Sequence, residues 1–157
     1  MLLMPAVAAL AENPKTLPLL SLLKVFQEGK LEDYDAYSKT PSSTEVLAQY
    51  GLSHESCVRN MRLLSLCSLA AEHEEIPYSA IAATLRVPSE DVEGWVIAAV
   101  SSGLLTAKMD QLRGAVTVER CVVRRFGPDQ WRSLKGRLDL WKRNVGGVLD
   151  GLKKAQQ

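Results

Sequence analysis

From Trp131 onward the apolar residues Trp131, Leu134, Leu138, Trp141, Val145, Val148 and Leu152 recur at intervals of 3, 4, 3, 4, 3 and 4. That repeat lays one apolar seam along an α-helix and fits neither a strand nor a loop. Gly127-Pro128-Asp129 supplies the start, with Pro at the first helical position and an acid in the first turn. A straight helix from Pro128 through this seam runs roughly 40 Å at about 1.5 Å per residue, more than a small domain needs to cover its own core. Gly136, Gly146, Gly147 and Gly151 lie off the seam, and each costs about 1 kcal/mol against Ala in a helix. A helix so regular and yet so weakened is expected to be ordered by partner helices, with the seven seam residues as the interface.

The chain has 157 residues and a net charge of +1, which hides an uneven distribution. Residues 1–107 hold 7 basic and 13 acidic groups, a net of −6, and residues 108–157 hold 12 basic and 5 acidic, a net of +7. An acidic front and a basic tail set up two different surfaces. Lys135, Arg137, Lys142, Arg143, Lys153 and Lys154 on the tail helix are therefore candidates to meet RNA or an acidic partner.

The front half reads as short helices. Thr16 is placed to cap a helix with Leu17 or Pro18 in its first turn, closed by Gly29. Leu31 to Ser38 and Ser43 to Tyr50, the latter closed by Gly51, read as two more. Paired short helices of this kind stack in helical-repeat proteins, and residues 1–52 are expected to be the end of such an array. Residues 1–11 are apolar, but they lack a basic flank and contain Pro5. They fit an amphipathic or buried helix better than a signal peptide.

From Ser53 the pattern changes. A helix through Val58, Met61, Leu64, Leu66, Leu69 and Ala70 is followed by the edge strand Glu75-Ile76-Pro77-Tyr78. Ser79 to Arg86 is a short helix with Ile81, Ala82 and Leu85 inward. A second, Ser89 to Ser102, has Val92, Val96, Ala99 and Val100 as its apolar face. Leu104 to Met109 and Ala115 to Val123 form a hairpin across Asp110 to Gly114. The order helix, strand, helix, helix, hairpin is that of a winged helix over residues 53–126. The fold class is thus mainly α: a short helical-repeat segment, a winged-helix subdomain with a small β-hairpin sheet, and a long C-terminal helix over 127–157.

A helix that reads a DNA groove needs Arg, Lys, Asn or Gln facing base edges and phosphates. The helix in that position has no basic residue and carries Glu90, Asp91 and Glu93 at its start. The module is instead expected to make protein contacts, with Glu75, Ile76, Ala115, Val116, Thr117 and Val118 as a strand edge free to pair with a neighbour. Enzyme chemistry has no support. His54 and Cys57 are one turn apart but fit a capping-region His and a core Cys better than a nucleophile pair. His73 among Glu72, Glu74 and Glu75 lacks a second His for a metal, and Asp110, Asp129 and Asp139 form no acid pair. Neither a Walker loop nor GxSxG occurs. Cysteines at 57, 67 and 121 make a poor disulfide framework and fit a reducing compartment. The uncharged run Gly94 to Ala107 is too short to span a bilayer. No cofactor, metal or membrane is expected.

Several stretches carry a resemblance: MRLLSLCSLAAE at 61–72, EDVEGWVIAAV at 90–100, KMDQ at 108–111, FGPDQW at 126–131, and Trp141-Lys142 with Asn144. With the layout above they resemble the PCI-domain family, and within it the subunit M family of eukaryotic translation initiation factor three, over roughly residues 58–145. The signalosome's seventh subunit is the nearest competitor, and Ile76-Pro77-Tyr78 and Asp110-Gln111 suit it too. The resemblance implies a cytoplasmic, non-catalytic scaffold subunit. Such subunits join an arc of PCI neighbours through their winged helices and send their C-terminal helices into a shared bundle. Subunits A, F and H of the complex, F and H being its MPN pair, are the implied partners, and the small ribosomal subunit is met through the complex. Family chains are longer at the N-terminus, so this sequence is expected to be a C-terminal portion.

Overall fold

The computed structural model describes residues 16–124 and 126–155, together with Val7 and Asn13, and only the backbone of Ala155. The helix expected over residues 1–11 falls, Val7 apart, outside the described residues. Four helices open the described chain: α1 (Leu17–Glu28), α2 (Leu31–Ser38), α3 (Pro41–Gln49) and α4 (His54–Glu72). Thr16 stands at the cap of α1, but its hydroxyl donates to the Asn13 carbonyl (3.0 Å) rather than to the helix. Gly29 closes α1 with an ordinary negative φ of −76°. Its lack of a side chain matters for space instead, since a Cβ there would lie 2.7 Å from the Val25 carbonyl oxygen. Helix α3 begins at Pro41, two residues before the expected Ser43, because Pro is already set for the first helical position. Leu22, Tyr34, Tyr37, Val46 and Met61 are among the buried residues that join these helices into a first core.

The winged-helix order follows as read from the sequence. It runs through β1 (Glu75–Pro77), α5 (Tyr78–Leu85), a 3-10 turn (Ser89–Asp91), α6 (Val92–Ser101), β2 (Leu105–Asp110) and β3 (Ala115–Cys121). Leu66, Ile81, Leu85, Val92, Val96 and Val116 are fully buried in its core. Helix α4 serves both cores: Cys57 and Met61 belong to the first, and Leu63, Leu66 and Ala70 to the second. The expected line between residues 52 and 53 therefore falls at the start of a helix that two cores share. Val100, expected inward, is exposed. At about 100° per residue it lies about 40° past Val96, at the rim of the face that Val92, Val96 and Ala99 share. The hairpin turn needs Gly114 at φ +59°, a left-handed conformation that Gly adopts without steric cost.

By its internal contacts the chain divides into two compact units, 1–124 and 125–157. The second unit is built on α7 (Pro128–Ala155), 28 residues and so about 42 Å long. Its entry is fixed locally. The Gly127 N–H donates to Oε1 of Gln130 (2.9 Å), and the Phe126 ring meets the Trp131 ring edge to face at 4.8 Å. Among the described residues no helix is long and apolar enough to cross a membrane.

Candidate functional site

The sheet order is β1-β3-β2, with both pairings antiparallel. This corrects the expected strand edge. Ala115, Val116 and Thr117 pair with β1 on one side and β2 on the other, and the Val118 N–H donates to the Glu74 carbonyl while Val118 also pairs with Ala107. A strand hydrogen-bonded on both sides has no free backbone groups to offer. Ile76 is buried in the core, and Glu75 is held by Arg113 at 2.7 Å. The free edges are the outer side of β1, three residues ending in Pro77, and the outer side of β2, six residues. On β2 the exposed side chains are Thr106, Lys108 and Met109, with Lys108 pairing Glu119 at 2.7 Å. The Glu119 carboxylate raises the Lys108 pKa. The sequence showed three strands but not which one is central, so Lys108 and Met109 were missed.

Beyond Glu93 in its first turn, helix α6 carries no charged residue. Ile97 and Val100 are exposed on it. Glu93 at its start accepts from the Tyr78 hydroxyl (3.1 Å) and from Nε2 of Gln111 (2.9 Å). Between α4 and α6 runs an open groove of about 710 Å³ lined by Val58, Arg59, Arg62, Glu90, Asp91 and Trp95, among others. The Arg62 guanidinium lies 5.4 Å from the Trp95 ring centroid, a cation–π contact. With acids beside its two arginines, this wall has no uniformly positive stripe of the kind nucleic acid requires.

Two arginines fix how the helical segment meets the winged helix inside the first unit. Arg124, just beyond β3, donates to the carbonyls of Phe26 (2.6 Å) and Gly29 (3.0 Å) and to the Ser68 hydroxyl (3.1 Å). It thereby satisfies the free carbonyls at the end of α1. Burial lowers its pKa. Arg86 closes α5 in the left-handed region at φ 53° and bridges Glu32 (3.0 Å) and Asp35 (2.8 Å) on α2. Neither role had a local signal, because the carbonyl acceptors of Arg124 lie 95 or more positions away and its Ser68 acceptor and the partners of Arg86 more than 50.

His54 and Cys57 both lie beside Tyr34. Nδ1 of His54 is 3.1 Å from the Tyr34 hydroxyl, with the rings stacked, while Cys57 is buried. Burial, then the Cys57 thiol, pushes the Tyr34 pKa up, and burial likewise raises that of Cys67. Among the described residues no group of three or more His, Cys, Asp or Glu side chains gathers to hold a metal.

On α7 no residue with a described side chain is buried. Trp131, Leu134, Leu138, Trp141, Val145, Val148 and Leu152 are all exposed, Trp141 by 69% and Val148 by 65%. At about 100° per residue they fall within one face roughly 100° wide. Leu149 flanks that face and was missed, whereas Leu140 lies well off it; both are exposed. The six basic candidates Lys135, Arg137, Lys142, Arg143, Lys153 and Lys154 are exposed as well, but are spread over several faces.

The chain matches the PCI domain family over residues 31–120, and the C-terminal helix of initiation factor three subunit M over residues 124–152. It is 42% identical to eukaryotic translation initiation factor 3 subunit M of Aspergillus oryzae, covering 97% of this chain and 33% of that protein. To the subunit M of Nematostella vectensis it is 36% identical, over 86% of this chain and 35% of that protein. The chain thus spans about a third of the length of the curated relatives it matches.

Proposed function

Because the chain belongs to the PCI-domain family, we propose that it is a non-catalytic scaffold segment of translation initiation factor three, of the subunit M type. It assembles through the winged helix and the C-terminal helix, and supports initiation on the small ribosomal subunit in the cytoplasm. The observation that carries this reading is α7. It matches the subunit M helix by sequence, and it offers an unbroken apolar seam whose members are all exposed. Burying seven such side chains is worth about 1.5–3 kcal/mol each before the costs of association. A helix with that much exposed apolar surface is suited to a multi-helix bundle. The β2 edge adds a second contact, in which a neighbouring PCI protein continues the sheet.

Of subunits A, F and H, the last two are on this reading the bundle partners and the first is a PCI neighbour. The test is affinity capture of the tagged chain from eukaryotic cells, followed by mass spectrometry. Initiation factor three subunits should dominate the recovered set. Recovery of signalosome subunits in their place would overturn the assignment.

A further inference from the structure

The flanks of the seam specify its partner. With Trp131 and Leu134 as the a and d positions of the first heptad, the e positions are Lys135, Lys142 and Leu149, and the g positions are Arg137, Asn144 and Gly151. Every charge beside the seam is positive. The acids of the helix, Asp129, Asp139 and Asp150, all fall on the outward b and f positions. Lys135, Arg137 and Lys142 are exposed and make no ion pair among the described residues.

Charges at e and g decide which helices pair. In a parallel pair of two copies Arg137 would face Lys142 of the other copy. In an antiparallel pair overlapping over the whole seam, Lys142 would face Lys142 at the middle, while Lys135 and Arg137 would face the uncharged end of the other copy. Both arrangements set like charges against each other beside the buried seam. An RNA strand fits poorly for a different reason: Arg137 and Lys142 lie on opposite flanks, about 140° apart around the axis, with the apolar seam between them. A phosphate backbone following one flank leaves the other unpaired and the seam exposed to water.

We propose that the seam of α7 is covered by a partner helix with an apolar a/d stripe and Asp or Glu at the e and g positions opposite residues 131–142. Opposite residues 145–152, where Leu149 and Gly151 replace the charges, the same helix is uncharged. The proposal rests on the bundle reading of the seam and adds the chemistry of the occupant.

The test uses the full chain and two three-heptad peptides with Leu at every a and d position. One carries Glu at every e and g position and its twin carries Lys. Binding is followed by fluorescence anisotropy at low and high salt. At low salt the Glu peptide should bind about tenfold tighter, the sum of three modest ion pairs set against three repulsions. The gap should narrow as salt screens the charges, and the triple variant K135E/R137E/K142E should prefer the Lys peptide. Equal binding of both peptides would overturn this proposal while leaving the seam reading intact. Failure of both to bind would overturn the two together. Two further outcomes would also sink it: a chain dimer in sedimentation that L138D dissolves, or binding to polyuridylate that the triple variant loses with no peptide preference.

Discussion

Helices α6 and α7 make opposite uses of apolar residues. The ten residues of α6 bury Val92, Val96 and Ala99 completely inside their own unit, leaving only Ile97 and Val100 as large aliphatic side chains outside. The 28 residues of α7 bury no described side chain and expose nine large apolar ones. A short helix is stabilised by the core it completes rather than by its own propensity. A long one that carries four glycines and no buried side chain draws that support from outside, in the reading proposed above. On that reading the difference separates residues that keep the first unit folded from residues proposed to take it into a complex.

The largest effect should come from breaking α7 alone. L138D with V145D puts two carboxylates on the seam, and captured partners should fall by about 100-fold or more, since each change forfeits apolar burial and leaves a charge to desolvate. The denaturation profile of the first unit should not move. Undiminished capture in quantitative mass spectrometry would show that the seam is not the attachment. The converse change is Leu85→Ala, at a fully buried side chain. It should cost about 2–5 kcal/mol in urea unfolding, while leaving peptide binding to α7 unchanged under conditions where the first unit remains folded. A loss of seam binding there would mean the two regions are not independent in the way the comparison holds.

Local patterns were legible where the physics is local. The 3,4 spacing placed α7 from Pro128, and the alternation of apolar and turn residues placed all three strands and the helices before them. The positions that escaped depend on contacts distant in sequence. Nothing near Val116 says that its strand lies between two others; that follows from β1 folding back across 40 residues to pair Ile76 with it. The candidate edge therefore included, beside Glu75 and Ile76 of β1, residues Ala115 to Val118 of β3, the one strand that has no free edge. Val100 failed for a smaller reason, its place at the rim of the buried face about 40° past Val96. Arg124 was read as one charge of the basic tail, although its fork is committed to carbonyls at the end of α1.

Arg124 sharpens the comparison from inside the first unit. Arg124→Ala removes a partly buried guanidinium that satisfies two backbone carbonyls, and should cost about 2–3 kcal/mol in thermal or urea unfolding. Arg124→Lys should restore only part of this, because an ammonium lacks the planar fork that reaches several acceptors at once. Full recovery with Lys would show that charge alone acts there, and that the geometry of the helix end is incidental.

Arg86 should give the smallest change, and its sign is set by two opposed terms. Its ion pairs to Glu32 and Asp35 are half exposed on the arginine side, so each is worth about 0.2–1 kcal/mol and weakens with salt. Its left-handed backbone at φ 53° is strained for any residue with a side chain, and Gly relieves that strain by roughly 1 kcal/mol. Arg86→Gly should therefore lie within about 0.5 kcal/mol of the parent at low salt. At high salt, where the lost pairs count for less, it should become the more stable of the two. A stability difference that did not respond to salt would remove the ion pairs from the account and leave the junction between α2 and α5 held by packing alone.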